Sequence, residues 1–319
     1  MRFAQTAVTF LLGLILAILN SSLGIIQKQV DTSYSLSMPF FSTLTFYFFQ
    51  AILVVFPSSH KHWKQCIFPL LNGVVDFAGT ACIVYAFPLT SVSSVSLFQT
   101  LAMPASLIFS LCIIKNRFTA LHIVAVLLAM GFSAGFAGTD YSGTKLTGSI
   151  LGILGAFLFG LSSVMMQKFG SQMSTFEYMS KMGLSGVLLS VVLCVSLETS
   201  LFVAANAGGI GLLVLYGIIA AFYIFLGLYV IGRSNAVFFM MCSVLVPVFT
   251  FPVDVLHFKS KFVWWQILIG FGMLGSVVLY IVAEWLGEKK QQNVVPTDPD
   301  TVCISEQANG SCQIGNTEA

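Results

Sequence analysis

The chain has 319 residues, of which 57% are hydrophobic and 8% are charged, and its mean hydropathy is +0.93. Soluble domains carry about 25% charged residues, so this composition excludes a globule in water, and the net charge of +2 gives no indication of nucleic-acid binding. The apolar runs are about 20 residues long, which suits helices rather than barrel strands, and the sequence predicts an all-α polytopic membrane protein.

Ten transmembrane helices are predicted along the chain, beginning with an uncleaved first span. The predicted spans are 7–27, 38–57, 67–87, 90–114, 119–138, 147–167, 175–197, 209–231, 234–255 and 263–285. The short connections leave no room for a soluble domain. The polar composition of 289–319 predicts a disordered cytosolic tail.

The Lys and Arg residues predict the orientation of these spans. With both termini in the cytosol, ten of the fourteen Lys and Arg residues lie on the cytosolic side, against Lys28, Lys145, Lys259 and Lys261 on the other. Because cytosolic loops carry an excess of Lys and Arg, we expect both termini to be cytosolic.

Short matches between the two halves indicate an internal repeat. Ser91, Thr100 and Pro104 of the fourth span correspond to Ser234, Ser243 and Pro247 of the ninth at a constant offset of 143, and Ser21-Ser22 with Gln27-Lys28 resembles Ser162-Ser163 with Gln167-Lys168. An odd number of spans inverts the second copy in the bilayer. We therefore predict a five-plus-five inverted repeat, with 1–146 as the first five-helix unit and 147–288 as the second, an arrangement frequent in secondary transporters.

An acidic side chain lies near the middle of the third predicted span. Asn72, Asp76 and Thr80 share one helical face, because residues i, i+4 and i+8 align on an α-helix. A mid-span Asp costs about 2.5–3.5 kcal/mol on the insertion scale. Two interpretations remain open: a cavity role for Asp76, as substrate contact or proton carrier, or a structural role in which a protonated or hydrogen-bonded Asp76 joins helices through a Ser or Thr.

Other polar residues predict further substrate contacts and gates. The candidate substrate-binding residues are Asp76, Asn72, Thr80, Asn20, Gln99, Thr100, Tyr223 and Ser243, and the candidate gate residues are Lys28, Lys168, Pro104 and Pro247. The competing interpretations are close helix packing for the polar stripes, snorkelling for the lysines and ordinary membrane-helix kinks for the prolines.

No motif for catalysis or for cofactor binding is identified. Gly131–Gly135 spells G-x-S-x-G, but it lies inside an apolar helix without the strand-turn-helix context or the partners that a nucleophile needs. The seven cysteines are scattered, without a CxxC or CxxH pair. We therefore expect no catalytic residue, no metal and no cofactor, and a protein that is not an enzyme.

Several stretches carry a resemblance to a known family. They are Asp76-Phe-Ala-Gly-Thr80, the run from Leu89 to Gln99, Pro104, Lys115-Asn-Arg-Phe-Thr119, and Trp265 to Ser276 running into Glu288-Lys-Lys290. They resemble the drug/metabolite transporter superfamily, and most of all the branch with chloroquine-resistance-transporter-like proteins and orphan members of solute carrier family 35. The resemblance implies a ten-helix inverted fold that works by alternating access. The sequence fits either the plasma membrane or an internal one, and the resemblance favours a vacuolar, lysosomal or Golgi membrane. Members often carry Glu where this chain has Asn116 and Ser260.

These observations predict a secondary transporter of small polar organic solutes. The central ion is negative and no Lys or Arg lies at mid-depth, which favours neutral or cationic substrates and leaves proton coupling through Asp76 open. One alternative is a nucleotide-sugar or organic-phosphate exchanger, with Lys28 or Lys168 reaching the anion. An alternative of another class is a membrane receptor or partner subunit that transports nothing. The expected partners are a small-molecule substrate, protons and lipid, and the protein is expected to be a monomer or a homodimer.

Overall fold

The computed structural model describes residues 2–34, 38–55, 63–86, 89, 98–137, 146–199, 206–257 and 264–292, and within these ranges the protein is all-α. The helices are α1 (Arg2–Tyr34), α2 (Pro39–Ala51), α3 (Trp63–Ala86), α4 (Ala102–Phe109), α5 (Ala120–Ala137), α6 (Leu146–Gly170), α7 (Thr175–Leu197), α8 (Ala207–Arg233), α9 (Ala236–Ser243), α10 (Val246–Leu256) and α11 (Trp265–Gln292).

The predicted multi-pass helical architecture is confirmed. Within the described ranges, seven helical stretches are long and apolar enough to cross a membrane, and two shorter apolar ones are Phe98–Ile114 and Ala120–Gly135. Helix α2 continues as the 3₁₀ turn Ile52–Val55 and corresponds to the second predicted span. Each predicted span thus has its helix, although 90–97 of the fourth lies outside the described residues. Helix α11 extends to Gln292, so it enters the segment predicted as tail.

Side chains at the helix starts explain several boundaries. Ser174 precedes α7, and its hydroxyl accepts a hydrogen bond from the Glu177 N–H at 3.3 Å. Asn206 precedes α8 and accepts from the Gly208 N–H at 3.2 Å. Such N-caps satisfy one of the backbone donors that a helix start leaves unpaired.

The two predicted gate prolines lie next to interruptions in their spans. The ninth predicted span is divided into α9 and α10, with Pro247 in the first turn of α10. In the fourth, a turn at Leu101 comes just before α4, and Pro104 follows in its first turn. Because proline cannot donate the backbone hydrogen bond that continues a helix, both interruptions agree with kinks at these prolines, which the gate and the ordinary-kink interpretations share.

The helix contacts form matched pairs between the two sets of spans. When each span in a contact is replaced by its counterpart five spans away in the chain, the result is the other contact of the pair. The contact of α3 with α6 corresponds to that of α8 with α1, and the contact of α3 with α7 corresponds to that of α8 with α2. The contact of α4 with α6 corresponds to the contacts of α1 with α9 and α10. Helices α2 with α7 and α5 with α11 pair with their own counterparts.

Apolar side chains cover the outside of this bundle, and many polar ones lie within it. Leu127 of α5 is 60% exposed and Leu188 of α7 is 63% exposed, whereas Asn72 and Ser163 are fully buried. This inverse distribution is expected where lipid replaces water as the solvent.

Most of the cationic residues that the structure describes lie at one end, which we name the basic end. It carries Lys115, Arg117, Lys168, Lys181 and Arg233. The Lys168 ammonium donates to the Ile113 carbonyl at 3.4 Å, which joins the end of α6 to the π-helical turn Ser110–Ile114 after α4. Arg233 shares a cleft with residues of α6 and α7. Lys28 lies at the opposite end, near the contact between His257 and Gln29.

Candidate functional site

Asp76 lies on the inner face of α3. Its side chain is 6% exposed, whereas Leu71 and Val74 on other faces of the same helix are 50% and 43% exposed. The helical spacing that separates Asp76 from these apolar residues therefore directs the carboxylate into the bundle and the apolar side chains toward lipid.

Each oxygen of the Asp76 carboxylate accepts a hydrogen bond from a different helix. The Tyr47 hydroxyl of α2 donates to Oδ2 at 2.6 Å, and the Ser162 hydroxyl of α6 donates to Oδ1 at 2.9 Å. The Thr80 hydroxyl donates to the Asp76 backbone carbonyl at 3.0 Å. The hydrogen bond to serine matches the structural interpretation of Asp76, and the inward direction is what the cavity interpretation requires.

Two tyrosines of the second half lie near this carboxylate, and a third lies near Tyr47. Tyr178 of α7 and Tyr223 of α8 lie within electrostatic range of Asp76, and Tyr216 of α8 lies within range of Tyr47. The Tyr223 hydroxyl is 3.4 Å from that of Ser243 in α9. The structure thus brings the predicted residues Tyr223 and Ser243 together, with Tyr223 near Asp76.

Asn72 lies one helical turn before Asp76 and is fully buried. Its amide nitrogen donates to the Met182 sulfur at 3.6 Å. Within the described part of the chain, neither its amide oxygen nor the buried Tyr178 hydroxyl has a hydrogen bond of normal geometry, but these two groups lie close enough to interact with each other. Buried polar atoms cost free energy when they stay unpaired, and here the amide and the hydroxyl have each other as neighbours.

The predicted contacts from the first and fourth spans are less buried than Asp76. Asn20 and Thr100 are half-buried and Gln99 is exposed. No hydrogen bond between described residues joins Asn20 or Gln99 to Asp76. Beside Asn20, the Ser21 hydroxyl donates to the Val246 carbonyl at 3.1 Å, at the start of α10.

The two predicted gate lysines are exposed at opposite ends of the bundle. Besides its bond to Ile113, the Lys168 ammonium lies 5.8 Å from the centre of the Phe169 ring. That ring stacks on Phe68 of α3, with centroids 4.2 Å apart. Lys168 therefore lies where α3, α4 and α6 meet at the basic end.

Sequence reasoning missed Tyr47, the closest partner of Asp76. It lies between Phe46 and Phe48 in the aromatic helix α2, a run that suggests lipid contact. The available signal was its hydroxyl, since a buried tyrosine usually pairs that group. Which helix carries the partner depends on how the helices pack.

Another buried acid, which the sequence did not single out, lies at the end of the bundle opposite the basic end. Glu198 follows α7 and is 3% exposed. Its two carboxylate oxygens accept the backbone N–H groups of Phe40 and Phe41 at 2.7 and 2.8 Å, at the start of α2. Burial raises the pKa of the Glu198 carboxyl above its ordinary value, although these N–H groups oppose the increase.

Comparisons with known proteins agree with this architecture. The family model described as SLC35F, solute carrier family 35, matches residues 3–282. Solute carrier family 35 member F2 of Xenopus tropicalis is 24% identical over 296 residues, which cover 84% of this chain and 75% of that protein. The protein of the same name from Mus musculus is 27% identical over 203 residues, which cover 57% of this chain and 53% of that protein.

The fold also resembles that of a chain of known crystal structure. The TM-score is 0.70 at 17% sequence identity, and the match covers 85% of this chain and 97% of the other. At this identity the match shows a shared fold. The family match covers most of the sequence, and the predicted superfamily is confirmed: the chain belongs to the SLC35F group of solute carrier family 35, within the drug/metabolite transporter superfamily, and is a multi-pass solute carrier.

Proposed function

We propose that this chain is a secondary transporter of small polar organic solutes, which bind between the two halves beside Asp76 and are moved by alternating access. One observation carries the proposal. The buried Asp76 carboxylate accepts a hydroxyl hydrogen bond from each half, from Tyr47 in α2 and from Ser162 in α6. A group held between two moving halves can respond to both the substrate and the conformation.

The paired helix contacts support a five-plus-five inverted repeat as the basis of this movement. The close approaches are paired as well. A Cβ added at Gly73 of α3 would overlap the Met182 carbonyl of α7, and one added at Gly217 of α8 would lie 2.7 Å from the Thr45 Cβ of α2. The Gly73 approach joins spans 3 and 7, and the Gly217 approach joins their counterparts, spans 8 and 2. The two halves would then rock about the interior that contains Asp76.

The charges near the site favour a neutral or cationic solute. The described cationic residues of the basic end and Lys28 lie at the ends of the bundle, whereas Asp76 lies at its centre. Tyrosine rings such as those of Tyr178 and Tyr223 also attract cations through their faces. A nucleotide sugar or organic phosphate would require a cation at the substrate, so the exchanger remains the second candidate, with Lys28 or Lys168 reaching the anion from its end of the bundle.

We further propose that the basic end and both termini face the cytosol, in an internal membrane. The excess of Lys and Arg at one end supports this orientation. The resemblance to the chloroquine-resistance-transporter-like branch supports an internal membrane over the plasma membrane.

Uptake by purified protein in liposomes tests the proposal. Wild type and Asp76→Asn are offered a mixed pool of neutral, cationic and anionic metabolites, with and without a pH gradient. We expect wild type to accumulate a neutral or cationic solute. Uptake by Asp76→Asn should be lower by about tenfold or more, since hydrogen bonds to a charged group contribute about 1.5–3 kcal/mol. Glu198→Gln, which removes a buried acid far from the site, is the control and should retain uptake.

Three outcomes separate the alternatives. Uptake of phosphorylated solutes alone would favour the exchanger. Stimulation by a pH gradient that Asp76→Asn abolishes would support proton coupling through this carboxyl. If folded wild-type protein takes up no solute, with or without the pH gradient, the receptor or partner subunit is favoured.

A further inference from the structure

The turn between α8 and α9, Ser234 to Ala236, is held by hydrogen bonds from two other helices at the basic end. From α6, the Gln167 side-chain oxygen accepts the Ala236 backbone N–H at 2.9 Å. From α11, the Glu284 carboxylate accepts the Ser234 hydroxyl at 2.9 and 3.1 Å and the Asn235 amide at 3.2 Å.

The same turn has a further contact on its buried side. The Asn235 side-chain oxygen accepts the Tyr280 hydroxyl of α11 at 2.9 Å while it also caps α9 at the Phe238 N–H. The Tyr280 ring in turn packs edge-on against His122 of α5, with centroids 4.8 Å apart. The start of α9 is thus attached to α6 and α11, and through Tyr280 to α5.

The contact from Gln167 has a specific physical role. Ala236 is the first residue of α9, and the first N–H groups of a helix have no partner within it. The Gln167 oxygen supplies that partner from another helix, so α9 cannot leave α6 without exposing the donor. A cleft of about 240 Å³ is lined by Gln167 and Arg233 among others, whereas Ala236 is fully buried. Water in the cleft could therefore solvate the Gln167 amide once its bond to Ala236 is broken.

Helix α6 also connects this contact to the candidate site. Ser162, which donates to Asp76, and Gln167 are five residues apart on the same helix, or about 7.5 Å along its axis. A displacement of α6 that follows a change at Asp76 would therefore be transmitted to the start of α9.

We propose that Gln167 is a positioning residue that latches the gate at the basic end, and that release of the Ala236 N–H accompanies opening of the site toward that end. The proposal rests on the transport function proposed above. It assigns to Gln167 a conformational role, separate from contact with the solute, and it predicts that loss of the amide oxygen shifts the protein toward the form open at the basic end.

Labelling of Cys242 tests the latch without a known substrate. Cys242 lies in α9 beside Ser243 and is 1% exposed. The reporter protein keeps Cys242 and carries serine in place of the other six cysteines. It is placed in membrane vesicles of both orientations and treated with a membrane-impermeant maleimide. Arg117→Cys in the same background identifies the face of the basic end.

Three variants are compared in this reporter. Gln167→Met keeps the volume and removes the acceptor, and we expect about two- to tenfold faster labelling from the basic end, because a hydrogen bond contributes about 0.5–1.5 kcal/mol, with slower labelling from the opposite end. Gln167→Glu retains an acceptor at a helix N-terminus, where negative charge is favourable, and should label no faster than the reporter. Gln172→Met removes an exposed amide at the same end and should also match the reporter.

The face of labelling decides the result. Equal rates for Gln167→Met and Gln172→Met, or faster labelling of Gln167→Met from both faces, would overturn the latch, because general loosening has no preferred side. A protein that transports no solute but shows the one-sided change retains the latch and loses the transport proposal. A protein that transports solute while Gln167→Met behaves as Gln172→Met loses the latch alone.

Discussion

At the scale of single residues, the cost of an intramembrane carboxylate explains the groups around Asp76. A charge at this depth is tolerated when it faces the bundle and has hydrogen-bond donors. Tyr47 and Ser162 supply one donor to each oxygen. Their removal should therefore destabilise the protein and also change the site at which we expect the solute to bind.

We predict that Tyr47→Phe lowers the free energy of unfolding by about 1.5–3 kcal/mol, the range for hydrogen bonds to charged groups. The ring is expected to stay in place, since it packs directly against Gly186 of α7. Thermal unfolding in detergent measures the loss, and liposome uptake should fall in the same variant. Tyr85→Phe, at a ring that is 44% exposed, is the matched control, and an equal effect in both variants would contradict the role of Tyr47.

Glu198 predicts a dependence of stability on pH. Because burial raises the folded-state pKa of its carboxyl, folding favours the protonated form. This contribution is fully present below the ordinary pKa of Glu and is lost as the pH rises through the higher folded value. The unfolding temperature of wild type should therefore fall relative to that of Glu198→Gln as the pH rises through this window. Unfolding temperatures of both proteins across a pH series measure it, and a difference that stays constant with pH would contradict it.

At the scale of helices, close approaches at glycine fix how α3 and α8 pack. A Cβ at Gly73 would overlap a backbone carbonyl of α7, and one at Gly217 would overlap the backbone and side chain of Thr45. We predict that Gly73→Ala and Gly217→Ala each lower the free energy of unfolding by about 1–3 kcal/mol, the usual cost of overpacking.

The control for these variants is Gly275→Ala in α11, where an added Cβ would have no atom within 4 Å. Removal of a glycine from an open helical position stabilises by about 0.5–1 kcal/mol. Thermal unfolding should therefore move in opposite directions at the packed and the open positions. If all three variants shift in the same direction, the packing described for α3 and α8 is wrong.

The sequence predicts which segments are helical better than it predicts breaks within a span or contacts between helices. The seventh predicted span has the bounds of α7, because a capping serine begins it and an apolar run fills it. Hydropathy does not show the break between α9 and α10, since both sides are equally apolar, although Pro247 marks its place. Asp76 is predictable because a charge interrupts an apolar run. Tyr47 and Gln167 are not, because their roles depend on which helices become neighbours.

At the scale of the whole molecule, charge and helix pairing give the bundle two distinct ends. Lys168 and Arg233 lie with most other described cations at the basic end, next to the latch formed by Gln167. Glu198 and its bond to the start of α2 lie at the opposite end. An alternating-access protein needs two such ends that open in turn around one interior site, so the orientation of the basic end decides which compartment the latch controls.

We predict that the basic end faces the cytosol, and a matched pair of cysteines tests this. Arg117→Cys and Lys28→Cys replace exposed cations at the basic and the opposite end in a protein without other cysteines. Because Lys and Arg accumulate on the cytosolic side, an impermeant maleimide added to the cytosol of permeabilised cells with intact organelles should label Arg117→Cys and leave Lys28→Cys unlabelled until the organelle membrane is opened. The reverse pattern would place the latch on the lumenal side, and labelling of both from one face would contradict the separation of the two ends.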